Sequence, residues 1–248
     1  MTDPTVRRGV PEPPPPQKRF YEAVSVGGDP DGGFRILLDG RTVRTPARSV
    51  LAFPSAALAE AAGAEWRAQA EVIRPETMPL TRLANSCIDG VAPNRAAVAD
   101  DIVKYAGTDL VCYRAEGPEG LVARQRAAWD PLVAWAERRL GARFVLSEGV
   151  MPVAQSAALL SSVRALLPVA EPLRLGALHA LTTLTGSAVI ALAVAEGRLS
   201  VEDAWSAAHV DEDWNIALWG EDAEAKARRD RRRLEAAAAA LVLAEAPQ

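Results

Sequence analysis

The sequence predicts an α+β protein of two domains, a small antiparallel β-rich domain at the N-terminus followed by an all-α helical bundle. Before about residue 75 the sequence carries glycine-rich turns between valine-containing runs, and beyond it alanine and leucine recur at helical spacing. A chain of 248 residues could form one large domain or two smaller ones, and this change in composition favours two. We assign residues 1–18 to a disordered proline-rich leader, 19–75 to the β-rich domain and 76–248 to the helical domain.

Alternating apolar residues and turn signals predict the strands of the β-rich domain. A glycine-rich turn at residues 27–33 joins the first two strands. Asp39 and Gly40 then separate two β-prone runs, which is a strong hairpin signal because both central positions of such a turn favour positive φ. The predicted strands cover residues 19–26, 34–38, 41–45 and 50–53.

One helix is predicted to pack against this sheet. Ser55 is a residue type that caps helix N-termini. A helix from there to about Gln69 places Leu58, Ala62 and Trp66 on one face.

The helical domain begins with a clear core-facing stripe. Asn94 can cap a helix in which Val98, Ile102 and Tyr105 recur at i, i+4 and i+7. Farther on, Pro131 predicts either a kink or a new helix capped by the residue before it.

Later helices are predicted from their end signals. Gly141 is expected to end the helix that follows Pro131. We expect a short extended segment at residues 143–146 and a helix at 153–167 that Pro168 closes.

The segment Leu175–Ala195 has no formal charge over 21 residues, which meets the length criterion for a membrane span. It nevertheless contains His179 and several hydroxyl residues, is rich in alanine and glycine, and has no aromatic belt. We therefore predict one long buried core helix, with a membrane-associated helix as the alternative. Gly186 and Ala188 are expected where another helix crosses closely.

Beyond this segment, two further helices are expected. Gly197 is a natural helix end, and Ser200 with Asp203 approximates a capping box for the next helix. The last helix, residues 223 to about 244, has only a thin apolar stripe, formed by Leu234, Leu241 and Leu243.

The charge and the reactive side chains exclude several function classes. A formal net charge of −4 argues against a nucleic-acid partner, and the basic run at residues 228–233 is interpreted as a solvated helix face. His179 and His209 are too few for a zinc site, and Cys87 and Cys112 are interpreted as packing residues in a reducing compartment. The sequence predicts no metal, no cofactor and no small-molecule substrate.

Two acidic runs accompany two tryptophans near the C-terminus. Residues 211–213 stand directly before Trp214, and residues 221–224 follow Trp219 closely. Three interpretations are open: solvated helix ends, an acid/base enzyme site that uses these carboxylates with His209, or an interaction surface. The tryptophans favour the interaction surface, because aromatic residues rimmed by charge are typical of interface hot spots. At i and i+5 the two rings point in different directions, so one of them is expected in the core.

Several blocks of the sequence, taken together, resemble the family of the F1-ATPase assembly chaperone Atp12. The resemblance runs from about Arg19 to Glu224. The matching blocks are RFYEAVSV, LDGRTVRTPAR, PLTRLANSCIDG, YAGTDLVCYRAEGPEGLVARQRAAWDPL, TTLTGSAVIALAV and VDEDWNIALWGEDAEA.

This resemblance implies a function without catalysis or cofactor. It implies a chaperone that binds the unassembled F1 α subunit and shields the surface that β will cover, with a β-rich N-terminal and an all-α C-terminal domain. Eukaryotic members act in the mitochondrial matrix, and the absence of an amphipathic presequence fits a bacterial cytoplasmic member better. The partner-binding candidates that it implies are Glu212, Asp213, Trp214, Trp219, Asp222 and Glu224.

Overall fold

A computed structural model describes residues 17–149 and 151–245. The first part is an antiparallel sheet in which β2 is central: it pairs with β1 on one side, and β3 and β4 also pair with it. In this register Val26 lies opposite Ile36, whose side chain is fully buried. The four strands are β1 (Val24–Gly28), β2 (Phe34–Leu38), β3 (Arg41–Thr42) and β4 (Ala52–Phe53).

The hairpin prediction is confirmed, because Asp39 and Gly40 both have positive φ, 48° and 76°. β1 starts later than predicted, at Val24, since the carboxylate of Asp39 accepts hydrogen bonds from the backbone N–H groups of Glu22 and Ala23 instead (2.8 Å for Ala23). β3 is shorter than predicted because the chain turns at Arg48, which has a φ of 69° and donates its N–H to the Thr45 carbonyl at 2.8 Å. β4 is also short, and Val50 forms only an isolated bridge.

The prediction of a disordered leader at residues 1–18 is wrong for residues 17 and 18. The rest of that range lies outside the described residues. The Gln17 carbonyl accepts a hydrogen bond from the Ile73 N–H at 2.8 Å, and Lys18 forms an antiparallel bridge with Val72. Residues 17 and 18 are therefore part of the folded chain.

The helix against the sheet, α1 (Ala56–Arg67), forms as predicted. Ser55 caps it by accepting a hydrogen bond from the Leu58 N–H. Leu58 and Ala62 are fully buried against the sheet side, whereas Trp66 is half-buried and its carbonyl accepts the Tyr21 hydroxyl at 2.7 Å.

The remainder of the described chain is mostly helical, and α6 lies at its centre, packed against α3, α7 and α10. A π-helical turn at Cys87–Val91 follows α2. A short parallel pair, β5 (Tyr113–Arg114) and β6 (Ser147–Glu148), sits among the helices. The helices are α2 (Pro79–Ser86), α3 (Arg95–Gly107), α4 (Glu119–Leu140), α5 (Ala157–Leu166), α6 (Pro172–Thr185), α7 (Ala188–Ala195), α8 (Val201–Ala208), α9 (Val210–Trp219) and α10 (Ala223–Glu245).

The prediction of one long helix at residues 175–195 is wrong. α6 ends at Gly186, which has a φ of 69°, and Ser187 caps α7 by accepting the Ile190 N–H at 3.0 Å. The carboxylate of Asp109 supports the new helix start by accepting the Val189 N–H at 3.0 Å. In the described part of the chain, no helix is long and apolar enough to cross a membrane.

The predicted close helix crossing lies elsewhere. A Cβ added at Gly186 would have an ordinary contact, 3.8 Å, with Leu110 Cβ. At Gly176, in α6, the same addition would place a Cβ 2.2 Å from the Cys87 sulfur. The residue that permits close packing of α6 is therefore Gly176, and Ala188 is simply buried.

Four other predictions in the helical part also change. α4 continues through Pro131 and ends at Gly141, which has a φ of 64°, so no new helix begins at Asp130. Asn94 does not cap α3 with its side chain, which donates to the Gly90 carbonyl at 2.9 Å. The short extended segment is β6 rather than residues 143–146, and α5 begins after Ser156, later than predicted.

The last helix has its predicted length but buries a different face. Leu234 and Leu241 of the predicted stripe are 55% and 37% exposed, whereas Leu243 is buried. The buried positions are mostly alanines, which allow α10 to approach α6 closely. The domain boundary near residue 75 stays a prediction. Hydrogen bonds run across it, since the Glu65 carboxylate accepts the backbone N–H groups of Leu80 and Thr81 at 2.7 and 2.8 Å.

Candidate interaction surface

The predicted site residues lie on two consecutive helices, and we call them together the acidic tryptophan surface. α9 carries Glu212, Asp213 and Trp214 in its first half and ends with Trp219. Gly220, with a φ of 84°, turns the chain into α10. The surface comprises Glu212, Asp213, Trp214, Trp219, Asp222 and Glu224.

The two acidic residues on α9 already have a partner inside the chain. The Arg229 guanidinium, from α10, contacts the Asp213 carboxylate, and its Nε lies 3.9 Å from a Glu212 carboxylate oxygen. Only 17% of the Arg229 side chain is exposed. The interpretation of residues 228–233 as a solvated helix face is therefore wrong at Arg229, and Arg232 also donates to the Leu184 carbonyl at 3.1 Å.

His209 is buried at the junction of α8 and α9. Its Nδ1 lies 2.7 Å from the Trp205 carbonyl, and its ring stacks on the Trp205 indole with 4.0 Å between centroids. Burial lowers the pKa of His209 below its usual value, despite the opposing effect of that carbonyl. A neutral ring that donates from Nδ1 holds the helix junction, and its Nε2 remains 3.8 Å from Glu212.

The two tryptophans differ in environment, and neither is fully buried. The Trp214 ring lies over Gly120 of α4, where an added Cβ would come within 2.7 Å of the ring atom Cη2. The Arg124 guanidinium lies 4.9 Å from the Trp214 ring centroid, in cation–π geometry. Trp214 therefore packs α9 against α4, whereas Trp219 is 85% exposed beside Leu218, which is 56% exposed.

The remaining two acidic residues of the surface, Asp222 and Glu224, are exposed at the start of α10. Asp222 caps the helix, because its carboxylate accepts the N–H groups of Glu224 and Ala225 at 3.0 and 2.9 Å. Glu224 itself is exposed in the first turn. Negative charge at this helix end is favoured by the helix dipole.

The structure thus separates the acidic tryptophan surface into two groups. Glu212, Asp213 and Trp214 are engaged by Arg229, Gly120 and Arg124 from other helices. Trp219, Asp222 and Glu224 are exposed, although the Asp222 carboxylate also caps α10. Sequence reasoning missed Leu218, although it stands directly before Trp219 in the block VDEDWNIALWGEDAEA. It also missed Gly120 and Arg229, because only the fold shows which helices face α9.

Comparison with known proteins gives consistent matches. The family model described as ATP12 chaperone protein matches residues 18–137. The structure of a candidate chaperone from Agrobacterium tumefaciens is 49% identical, with a TM-score of 0.88, and the match covers 93% of this chain and 86% of that one. The structure of Atp12 from Paracoccus denitrificans is 41% identical, with a TM-score of 0.84, over 92% of this chain and 97% of that one. An aspartate-to-lysine variant of the same Paracoccus protein matches with a TM-score of 0.83.

Proposed function

The chain belongs to the ATP12 chaperone family, and we propose that it binds the unassembled α subunit of the F1 sector of ATP synthase and shields the surface that the β subunit later covers. The observation that carries this proposal is the exposure of Trp219, 85%, at the end of α9. Burying a large apolar side chain contributes roughly 1.5–3 kcal/mol of free energy. In the isolated chain Trp219 remains in water, so a partner that covers it would gain this free energy on binding.

The charges around Trp219 indicate what kind of partner surface fits. Asp222 and Glu224 lie just beyond it in the sequence, at the N-terminus of α10. A client surface with an apolar pocket and a basic rim would complement an exposed indole next to carboxylates. We propose that Trp219, Asp222 and Glu224 contact the client directly.

The other three residues of the acidic tryptophan surface would act by holding α9 in place. Asp213 binds Arg229 of α10, and Trp214 packs on Gly120 of α4. Fixing α9 at both of these neighbours presents Trp219 in one position and so lowers the entropic cost of binding. Glu212, 3.9 Å from Arg229, would contribute to the same ion-pair network.

We propose a role without catalysis. The competing interpretation requires His209 to exchange protons with the neighbouring carboxylates. His209 is buried, its Nδ1 is occupied by the Trp205 carbonyl, and its Nε2 is 3.8 Å from the nearest Glu212 oxygen. We further propose that the chain acts in the bacterial cytoplasm, without a cofactor.

The experiment that tests the function is a binding titration with purified F1 α and, separately, F1 β. The parent chain should bind α and not β. Trp219→Ala should weaken binding to α, whereas Phe20→Ala removes another exposed aromatic ring, 62% exposed on the β-rich part, and should leave it unchanged. Equal binding of α by the parent and the Trp219 variant would reject this surface.

A further inference from the structure

A second group of exposed apolar side chains lies between α4 and α5. Val145, Leu146 and Met151 are 46%, 45% and 70% exposed. They are close together in the sequence and flank β6. Clustered exposed apolar side chains are typical of interaction sites, because a partner that covers them removes apolar surface from water.

The described residues of this loop are held in a defined conformation. The buried side chain of Gln155 accepts the Val145 N–H at 2.9 Å and donates to the Val145 carbonyl at 2.8 Å. The Ser147 hydroxyl donates to the Met151 carbonyl at 3.0 Å. The apolar side chains are therefore presented on a fixed base, which lowers the entropic cost of covering them.

Beside the loop is a cleft of about 350 Å³ between α4 and β6. Arg114, 8% exposed, lines it together with Leu146 and Ser147. The Arg114 Nε donates to the Val111 carbonyl at 2.9 Å, and its Nη1 binds Asp130 at 2.7 Å.

The third nitrogen of Arg114 is covered by the protein itself. Arg114 Nη2 is buried and has no hydrogen-bond partner among the described residues. The guanidinium carbon lies 5.3 Å from the ring centroid of the buried Trp129, so Arg114 forms a well-packed wall of the cleft.

The cleft and the acidic tryptophan surface both involve α4. Gln125 of α4 lines the cleft, and its Nε2 donates to the Asp211 carboxylate of α9 at 2.7 Å. The same helix carries Gly120 and Arg124 under the Trp214 ring. One client molecule lying along α4 could therefore contact both regions.

We propose that this cleft and loop form a second contact for the same client, F1 α. The site takes one extended client segment that lays apolar side chains on Leu146 and Met151, beside the cleft. This inference rests on the proposed function, because it assumes that the client engages α9 first.

The test is a binding titration of purified F1 α with Leu146→Ser and Met151→Ser combined in the full chain. Leu241→Ser, at a leucine that is 37% exposed on α10, is the matched control. The double variant should raise Kd about fivefold or more with an unchanged melting temperature, and the control should bind like the parent. Hydrogen exchange of the parent should show that the amides of residues 145–149 become protected when F1 α is added.

The outcomes separate this inference from the function itself. If the parent chain does not bind F1 α, both proposals fail. If the parent binds but the double variant binds equally well and residues 145–149 gain no protection, only the second contact is rejected. A binding loss matched by Leu241→Ser would also reject it, because the effect would then not be specific to the loop.

Discussion

The indole of Trp214 lies over Gly120 so closely that a Cβ atom at position 120 would come within 2.7 Å of the ring. Glycine is normally a poor residue inside a helix, because it loses more conformational entropy on folding than alanine does. Its presence in the first turn of α4 lets α9 pack with a tryptophan against the helix backbone. The position of α9, and so of Trp219, depends on residue 120 having no Cβ atom.

Gly120→Ala should therefore destabilise the chain despite the higher helix propensity of alanine. The overlap with Trp214 should cost about 1–3 kcal/mol, more than the propensity gain of about 1 kcal/mol. Gly107→Ala is the matched control, since an added Cβ there meets Leu160 only at 3.9 Å. Denaturant unfolding of the two variants checks this, and equal stabilities would show that Trp214 can move aside.

Arg229→Gln should loosen α9 more than Arg228→Gln does. Arg229 is largely buried and binds Asp213, whereas Arg228 is exposed. Removing Arg229 leaves the Asp213 carboxylate without its partner, and a loss of about 1 kcal/mol is expected because Asp213 is still partly solvated. Thermal unfolding should give a lower melting temperature for Arg229→Gln than for Arg228→Gln at low and at high salt. The difference should be smaller at high salt, because salt screens the ion pair. Equal melting temperatures would mean that the Asp213 ion pair does not stabilise α9.

The contribution of Asp109 to the unfolding free energy should increase as pH falls. Burial raises the pKa of this fully buried carboxyl to about 6, although hydrogen bonds from Ser187 and from the Val189 and Val111 N–H groups oppose the shift. Since the folded pKa lies above the unfolded one, the protonated form favours folding. Its contribution is present below the unfolded pKa and is lost as pH rises through about 6.

The measurement is the unfolding free energy of the parent minus that of Asp109→Asn, followed from pH 7 to about pH 4. This difference should grow as pH falls, by roughly 1.4 kcal/mol for each pH unit that separates the folded and unfolded pKa values. The subtraction cancels the other titrating groups. A difference that stays constant over this pH range would mean that Asp109 keeps an ordinary pKa.

Gly176→Ala should destabilise α6 packing, because its Cβ would overlap the Cys87 sulfur. We expect a loss of about 1–3 kcal/mol from overpacking. Combining it with Cys87→Ala removes the overlapping atom, so the double variant should lose less stability than the sum of the two single changes. Additive losses in a double-mutant cycle would show that the two positions do not interact.

Local turn and cap chemistry could be predicted well from the sequence. The Asp39-Gly40 hairpin, the Ser55 cap and the helix end at Gly141 each depend on residues adjacent in the chain. The helix break at Gly186 and Ser187 has an equally local signal, a left-handed C-terminal glycine followed by a capping serine. Sequence reasoning misses it because the surrounding residues are uncharged and largely buried, and so show no amphipathic periodicity that an interruption would disturb.

Packing partners could not be predicted, because they depend on which helices meet. The sequence predicts a stripe of large residues such as Leu234 on α10, but the close approach to α6 buries alanines such as Ala239 instead. For the site, the motif located the acidic tryptophan surface on α9 and α10. It could not show that Arg229 forms an ion pair with Asp213, because that contact depends on how α9 and α10 meet in the fold.

The most direct test of the account is the titration of purified F1 α with Glu224→Lys at two ionic strengths. Glu224 is exposed in the first turn of α10, so the charge reversal should lower the melting temperature only slightly, through the helix dipole, while it replaces attraction to a basic client rim by repulsion. We expect weaker binding by a chain that remains folded, and a larger defect at low salt than at high salt. Binding equal to that of the parent at both ionic strengths, or a loss that occurs only because the variant unfolds, would contradict the assignment of this surface to the client.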